Sequence, residues 1–318
     1  MDAFINTFNA VTVILGLGLL GFFVVRRKIL PESVLSVITP LVINIALPCM
    51  VFHNIVRQFN PAESPGWWKL PLYWCAFTAG LAALSLIFRF AVKSDIRGEF
   101  SLSLFYQNGL FIPTAIITGL FGESPVQLST LFLFMILYPA FFFNTYHHFL
   151  YGNRSDLFRI NWEKMLNPVL AATVLALLVR LFHLQDYIPR FALSIISQVG
   201  NITIPLIMIS LGGTIYIDFM RRGTIRWAEI TKFIIIKNIV FPAVTLGALV
   251  LLRPDFPVAF IILLESAVPP ITTLPTLIEQ ENGNSAAVNQ FFLGSLLFSL
   301  VSIPAALSAF SLFFTAPR

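Results

Sequence analysis

The chain has 318 residues, of which 57% are hydrophobic and only 11% charged, with a mean hydropathy of +0.85. That much apolar side chain excludes a water-soluble globular domain, and ten segments of about 20 residues, each enough to cross roughly 30 Å of hydrocarbon, use most of the length. The formal charge of +5 is spread among short loops, which argues against nucleic acid as a partner, and two cysteines in apolar segments, Cys49 and Cys75, exclude a disulfide framework or a cysteine-rich metal site.

Hydropathy predicts helices over 3–25, 33–56, 68–92, 101–121, 126–150, 166–184, 189–216, 228–252, 257–279 and 286–314. The first lacks a basic n-region and is followed by Arg26, Arg27 and Lys28, the pattern of an uncleaved span. Loops after odd-numbered helices also hold Lys93, Arg97, Arg154, Arg159, Lys164, Arg221, Arg222 and Arg226, whereas the opposite loops hold mainly Arg57, Lys69, Arg190 and Arg253. The positive-inside bias then places both termini outside the cytoplasm of a multi-pass protein, expected in the bacterial inner membrane.

In helix two, Asn44-Ile-Ala-Leu-Pro48 foreshadows Asn201-Ile-Thr-Ile-Pro205 in helix seven, 157 residues later, and Pro113 of helix four stands at the same distance from Pro270 of helix nine. The stretch Ile29–Ile38 resembles Tyr187–Ile196 at nearly the same offset. The expected organisation is a first five-helix repeat over 1–150, a cytoplasmic linker over 151–165 and a second repeat over 166–318. Five is odd, so the second copy enters the membrane inverted. Inverted repeats with helix breakers at matching positions are how many secondary transporters place a substrate site near mid-membrane.

A proline inside a helix removes one hydrogen bond and obstructs the preceding turn. Breaks in helices four and nine, centred on Pro113 and on Pro269-Pro270, would expose half-helix N-termini whose free N–H groups suit a carboxylate. Around them lie Asn108, Thr114, Ser266, Thr272 and Thr273, able to satisfy freed backbone or to touch a ligand. For Asn44 and Asn201 two readings stand, helix packing or substrate contact. A charge near the bilayer centre costs roughly 2.5–3.5 kcal/mol even on the lenient scale, which singles out Lys237 and Glu265. Counting along helices eight and nine lets the two meet. Glu265 would exchange a proton while Lys237 pairs with it or with an anionic substrate; the alternatives are a structural ion pair and a lysine that snorkels to the cytoplasm. His147 and His148 read as interfacial. No zinc, nucleophile-elbow, phosphate-loop or prenyl-diphosphate motif occurs, so neither enzymatic activity nor a bound metal or cofactor is expected.

Leu47-Pro48, Asn108-Gly-Leu-Phe-Ile-Pro113, Leu120-Phe-Gly122, Asn167-Pro168, Ile204-Pro205, Leu211-Gly212-Gly213, Val268-Pro-Pro270 and the serine-rich run from Leu296 to Pro304 follow one another in an order that resembles the auxin efflux carrier family in its compact bacterial form. The family falls within the bile-acid, arsenite and riboflavin type of transporters. The resemblance spans nearly the whole chain. It implies an all-α membrane protein with ten helices in two inverted repeats, a scaffold part, a transport part and a crossover of broken helices four and nine. Pro113 and Pro270 would be its crossover prolines and Asn108 a pocket residue. It also implies a secondary transporter of small organic anions, dicarboxylates or auxin-like weak acids, driven by protons or potential rather than sodium, with a homodimer as the expected assembly. A sodium-coupled symporter and a membrane ligand sensor are the alternatives.

Overall fold

Among the described residues ten helical spans follow in the predicted order. They are α1 (Asp2–Arg26), α2 (Glu32–Gln58), α3 (Trp67–Ala91), α4a (Arg97–Phe105) with α4b (Phe111–Phe121), and α5a (Val126–Phe134) with α5b (Tyr138–Tyr151). The second set is α6 (Pro168–Leu181), α7a (Arg190–Asn201) with α7b (Thr203–Met220), α8 (Trp227–Leu252), α9a (Phe256–Ala267) with α9b (Leu274–Gln280), and α10 (Ser285–Ser311). The computed structural model describes residues 2–122, 125–151, 167–220 and 224–315. Most of the expected linker lies outside these residues, as do Arg154, Arg159, Lys164, Arg221 and Arg222 and the side chains of His147 and His148. Among the described residues six runs are long and apolar enough to cross a membrane: α1, α2, α3, α7, α8 and α10. The remaining spans are shorter because α4, α5 and α9 are built in two pieces and α6 is described only from Pro168.

Local chemistry sets the breaks. A proline ring meets the carbonyl four residues back, and a helix absorbs the clash by widening or by stopping. In α2 the residue four before Pro48 is Asn44, and the helix widens to a π-turn over Val42–Ala46. In α8 the residue four before Pro242 is Asn238, and a π-turn covers Ile235–Val240. In α7 the residue four before Pro205 is Asn201, and the helix breaks at Ile202. Where proline opens a helix it does no harm. At α6, Asn167 caps the first turn by accepting from Leu170 N at 2.9 Å, with Pro168 in the first helical position.

The helices pack as two groups that cut across the repeats. Helix α2 packs on α6 and α7 and α7b packs on α1, while α3, α4, α5, α8, α9 and α10 gather around the breaks of α4 and α9; across the seam α1 also packs along α10 and α4b, and α2 against α5a. The first group is joined by backbone approach. A Cβ on Gly21 would collide with the backbone of Ile209, and one on Gly212 with that of Gly18, so α1 and α7b touch where only glycine fits. Thr39 and Ser210 share a hydrogen bond of 2.7 Å between α2 and α7b. On the loop side, Arg226 donates to Asp95 at 2.8 Å, and this hydrogen bond holds the Asp95 carboxyl below its usual range.

Candidate functional site

Segment 106–110 separates α4a from α4b, segment 268–273 separates α9a from α9b, and the two cross antiparallel with Gln107 opposite Pro270. Two backbone hydrogen bonds join them: Asn108 N–H donates to Pro269 O at 2.9 Å, and Ile271 N–H donates to Tyr106 O at 2.9 Å. Polar backbone left bare in hydrocarbon costs several kcal/mol per group, and here each break supplies partners that the other lacks. From α5b, Tyr138 donates its hydroxyl to Gln107 O at 2.5 Å.

The first turn of α4b is closed as well. Asn108 Oδ1 accepts from Phe111 N–H at 3.2 Å and from Ile112 N–H at 3.5 Å, Pro113 has no N–H, and Thr114 N–H goes to Leu110 O at 3.1 Å. The expectation of free N–H groups here is therefore corrected, because the helix is capped by its own asparagine. The break is also not centred on Pro113, which sits inside the first turn of α4b, where a missing donor costs nothing. Its positional counterpart is Pro275 in the first turn of α9b. The sequence offset that paired Pro113 with Pro270 thus slips at the crossover.

Two charged side chains with no solvent exposure border the crossing. Lys237, in the π-turn of α8, donates to Leu104 O in the last turn of α4a at 3.4 Å, where the helix dipole favours a cation, and lies 5.2 Å from the centre of the Phe241 ring. Glu265, near the end of α9a, accepts from Gln107 Nε2 at 3.5 Å through Oε2, while Oε1 has no hydrogen-bond partner. Gly109 lies against it, since a Cβ there would stand 2.8 Å from Oε2 and collide with Met135. No ion pair within 4.0 Å joins Lys237 to Glu265 among the described residues. Ser266 turns its hydroxyl back to Leu263 O at 2.7 Å. Thr114 and Thr273 have buried hydroxyls without partners, as does the amide nitrogen of Asn108. Pro269 and Pro270 are buried in the break, and Thr272 is half-buried.

Asn44 and Asn201 are not drawn to the crossover. Asn44 is exposed on α2, whereas Asn201 borders a cavity of about 220 Å³ between α2, α4b, α5a and α7, together with His53, Asn54, Thr118 and Ser197. A second cavity of about 520 Å³, between α1, α4b and α7, is bordered by Asn6 and Asn9. Thr118 and Ile204 border both cavities, which therefore adjoin and together line the cleft at the seam between the two helix groups. Asn54 spans that seam, donating to Pro125 O at 3.3 Å and accepting from Ser129 Oγ at 2.7 Å.

A family described as membrane transport protein matches residues 7–161 and 153–307, nearly the whole chain in two parts. The chain belongs to this family, the auxin efflux carriers. The transporter is 25% identical over 264 residues to an uncharacterized transporter of Methanocaldococcus jannaschii, covering 82% of this chain and 85% of that relative. It is 24% identical over 315 residues to an uncharacterized transporter of Methanothermobacter thermautotrophicus, covering 95% and 97%.

Sequence reasoning missed Gln107, Tyr138, His53 and Asn54 in this transporter. Gln107 and Asn54 were visible as polar residues inside apolar spans. Tyr138 and Gly109 gave no such signal, because a tyrosine or glycine in a membrane helix is unremarkable until its neighbours are known.

Proposed function

We propose that this protein is a secondary carrier of small organic anions, carboxylates such as dicarboxylates or auxin-like weak acids, working by alternating access. The observation that carries the reading is the interlocked crossover, with its buried lysine and glutamate, set beside a polar cleft at the seam of two helix groups. In the proposed cycle α1, α2, α6 and α7 stay fixed while the other six helices carry the crossover past them, an elevator-type motion. Substrate enters the cleft at the seam and meets the moving group through α4b and α5a. Asn108, Thr114 and Thr273, whose polar atoms lack partners, are the crossover groups free to respond to it. Glu265 exchanges a proton during the crossing, and Lys237 keeps the buried carboxylate tolerable when it is ionised. On the charge bias of the loops, both termini face away from the cytoplasm, and the cleft opens on that side.

One observation favours a sodium-coupled version. Glu265 Oε1, Thr114 Oγ1 and Thr273 Oγ1 are buried oxygens without partners. The Lys237 ammonium at the end of α4a weighs against it, because a second cation would have to enter the same desolvated region. The test is uptake of labelled malate by proteoliposomes under a pH gradient, a membrane potential or a sodium gradient, each imposed alone. Uptake driven by protons or potential, with counterflow, supports the reading. Uptake only with sodium selects the second version, and binding without flux points to a sensor.

A further inference from the structure

The crossover holds one buried ammonium and one buried carboxylate, so it presents no net charge to an anion. The cleft must meet that charge instead. No Asp, Glu, Lys, Arg or Cys borders either cavity among the described residues, and His53 is the one side chain there that changes charge near neutral pH. It stands half-buried on the α2 wall and makes no hydrogen bond to the protein among the described residues. Its charged neighbour on α2 is Arg57, one turn further on. The helices packed against this part of α2 bring no acid: α5a carries no charged side chain, α6 only Arg180 and α7a only Arg190, and α4b, across the cavity, carries none. Among the described residues, an imidazolium here has no carboxylate to pair with.

We infer that protonated His53 is the countercharge for the carboxylate of the substrate, so that one proton is taken up with each anion bound in the cleft. The inference rests on the transport reading above and gives the chemistry of its site. Amides of Asn6, Asn9 and Asn201 and the unpartnered hydroxyl of Thr118 supply neutral contacts for a second polar group. Among the described residues no Phe, Tyr or Trp borders either cavity, so these offer no ring against which an indole would stack. The substrate class is a short aliphatic acid with a hydroxyl or a second carboxyl.

The test is calorimetric titration of the purified full-length protein with malate between about pH 6.5 and 8.5, in buffers of different ionisation enthalpy, so that proton uptake is read directly. Expected are one proton bound per malate and a Kd that rises by up to about tenfold per pH unit above the histidine pKa, the limit for one linked proton. His53→Gln should weaken binding at the low-pH end by about tenfold or more and flatten the pH profile, whereas His53→Lys should bind malate independently of pH. Indole-3-acetate should compete more weakly than malate; equal competition overturns the aliphatic assignment. Wild-type affinity and pH slope in His53→Gln overturn the role of His53. Should that variant not fold, absence of proton uptake by the wild-type protein does the same. A wild-type protein that moves neither acid under any gradient fails the transport reading itself, a result distinct from transport that ignores pH and His53.

Discussion

Lys237 and Glu265 show how a residue too costly to bury is kept. Each is wholly removed from solvent, and each is held by a neutral partner on the 104–107 stretch rather than by the other. Their fields nevertheless share one desolvated region, where screening is weak. Lys237→Met and Glu265→Gln should each lower the melting temperature in detergent, and the double variant should recover by about 1 kcal/mol or more against the sum. Strict additivity would show that the two charges do not sense each other. Glu265→Gln should also slow transport while leaving the affinity for substrate in the cleft little changed. Asn108 allows a cleaner experiment. Losing its cap on Phe111 and Ile112 should cost about 1 kcal/mol in Asn108→Ala, with Asn108→Asp keeping most of the stability. Equal melting temperatures for wild type and Asn108→Ala would mean that water or backbone replaces the cap. Which residues are expensive in a membrane was legible from sequence, since hydropathy alone marks Lys237 and Glu265. What holds them was not, because Leu104 O and Gln107 reach them from another helix.

At the scale of helices, prolines were readable but their consequences were not. A break in the span at 101–121 was expected, but centred on Pro113 rather than at residues 106–110, because the proline marks an obstruction and not the place where the chain turns. The same pattern that flagged Asn44 and Asn201 recurs at Asn238-Ile-Val-Phe-Pro242, and it lies on the π-turn that carries Lys237. Asn238 fastens that turn to α10, donating to Ser295 O at 3.1 Å and Ser302 Oγ at 3.2 Å. Pro242→Ala would restore the missing donor and let α8 tighten, rotating Lys237 away from α4a. Stability should hold or rise while transport falls by about tenfold, since π-turns of this kind are found at working sites. A variant with unchanged transport would show that the wide turn is only an accommodation of the ring.

Across the whole molecule, two sequence repeats were legible, whereas the two packing groups were not. Repeat boundaries follow the chain, but α1, α2, α6 and α7 come together from both halves, through glycine contacts that no local pattern announces. The division sets a prediction. With Cys49 and Cys75 replaced, a disulfide between Asn54→Cys and Ser129→Cys ties the two groups and should stop transport until reduced. A disulfide between Thr39→Cys and Ser210→Cys lies within one group and should leave transport intact. Equal inhibition by both would mean that the groups do not move as units.

The two hydrogen bonds between the breaks also bear on how such a chain is made. While the ribosome is still far from residue 269, the carbonyl of Tyr106 and the N–H of Asn108 have already entered the membrane, and their partners do not yet exist. The first half of the nascent chain is therefore an unfinished object in lipid, a client for whatever insertase shields polar backbone until α9 arrives.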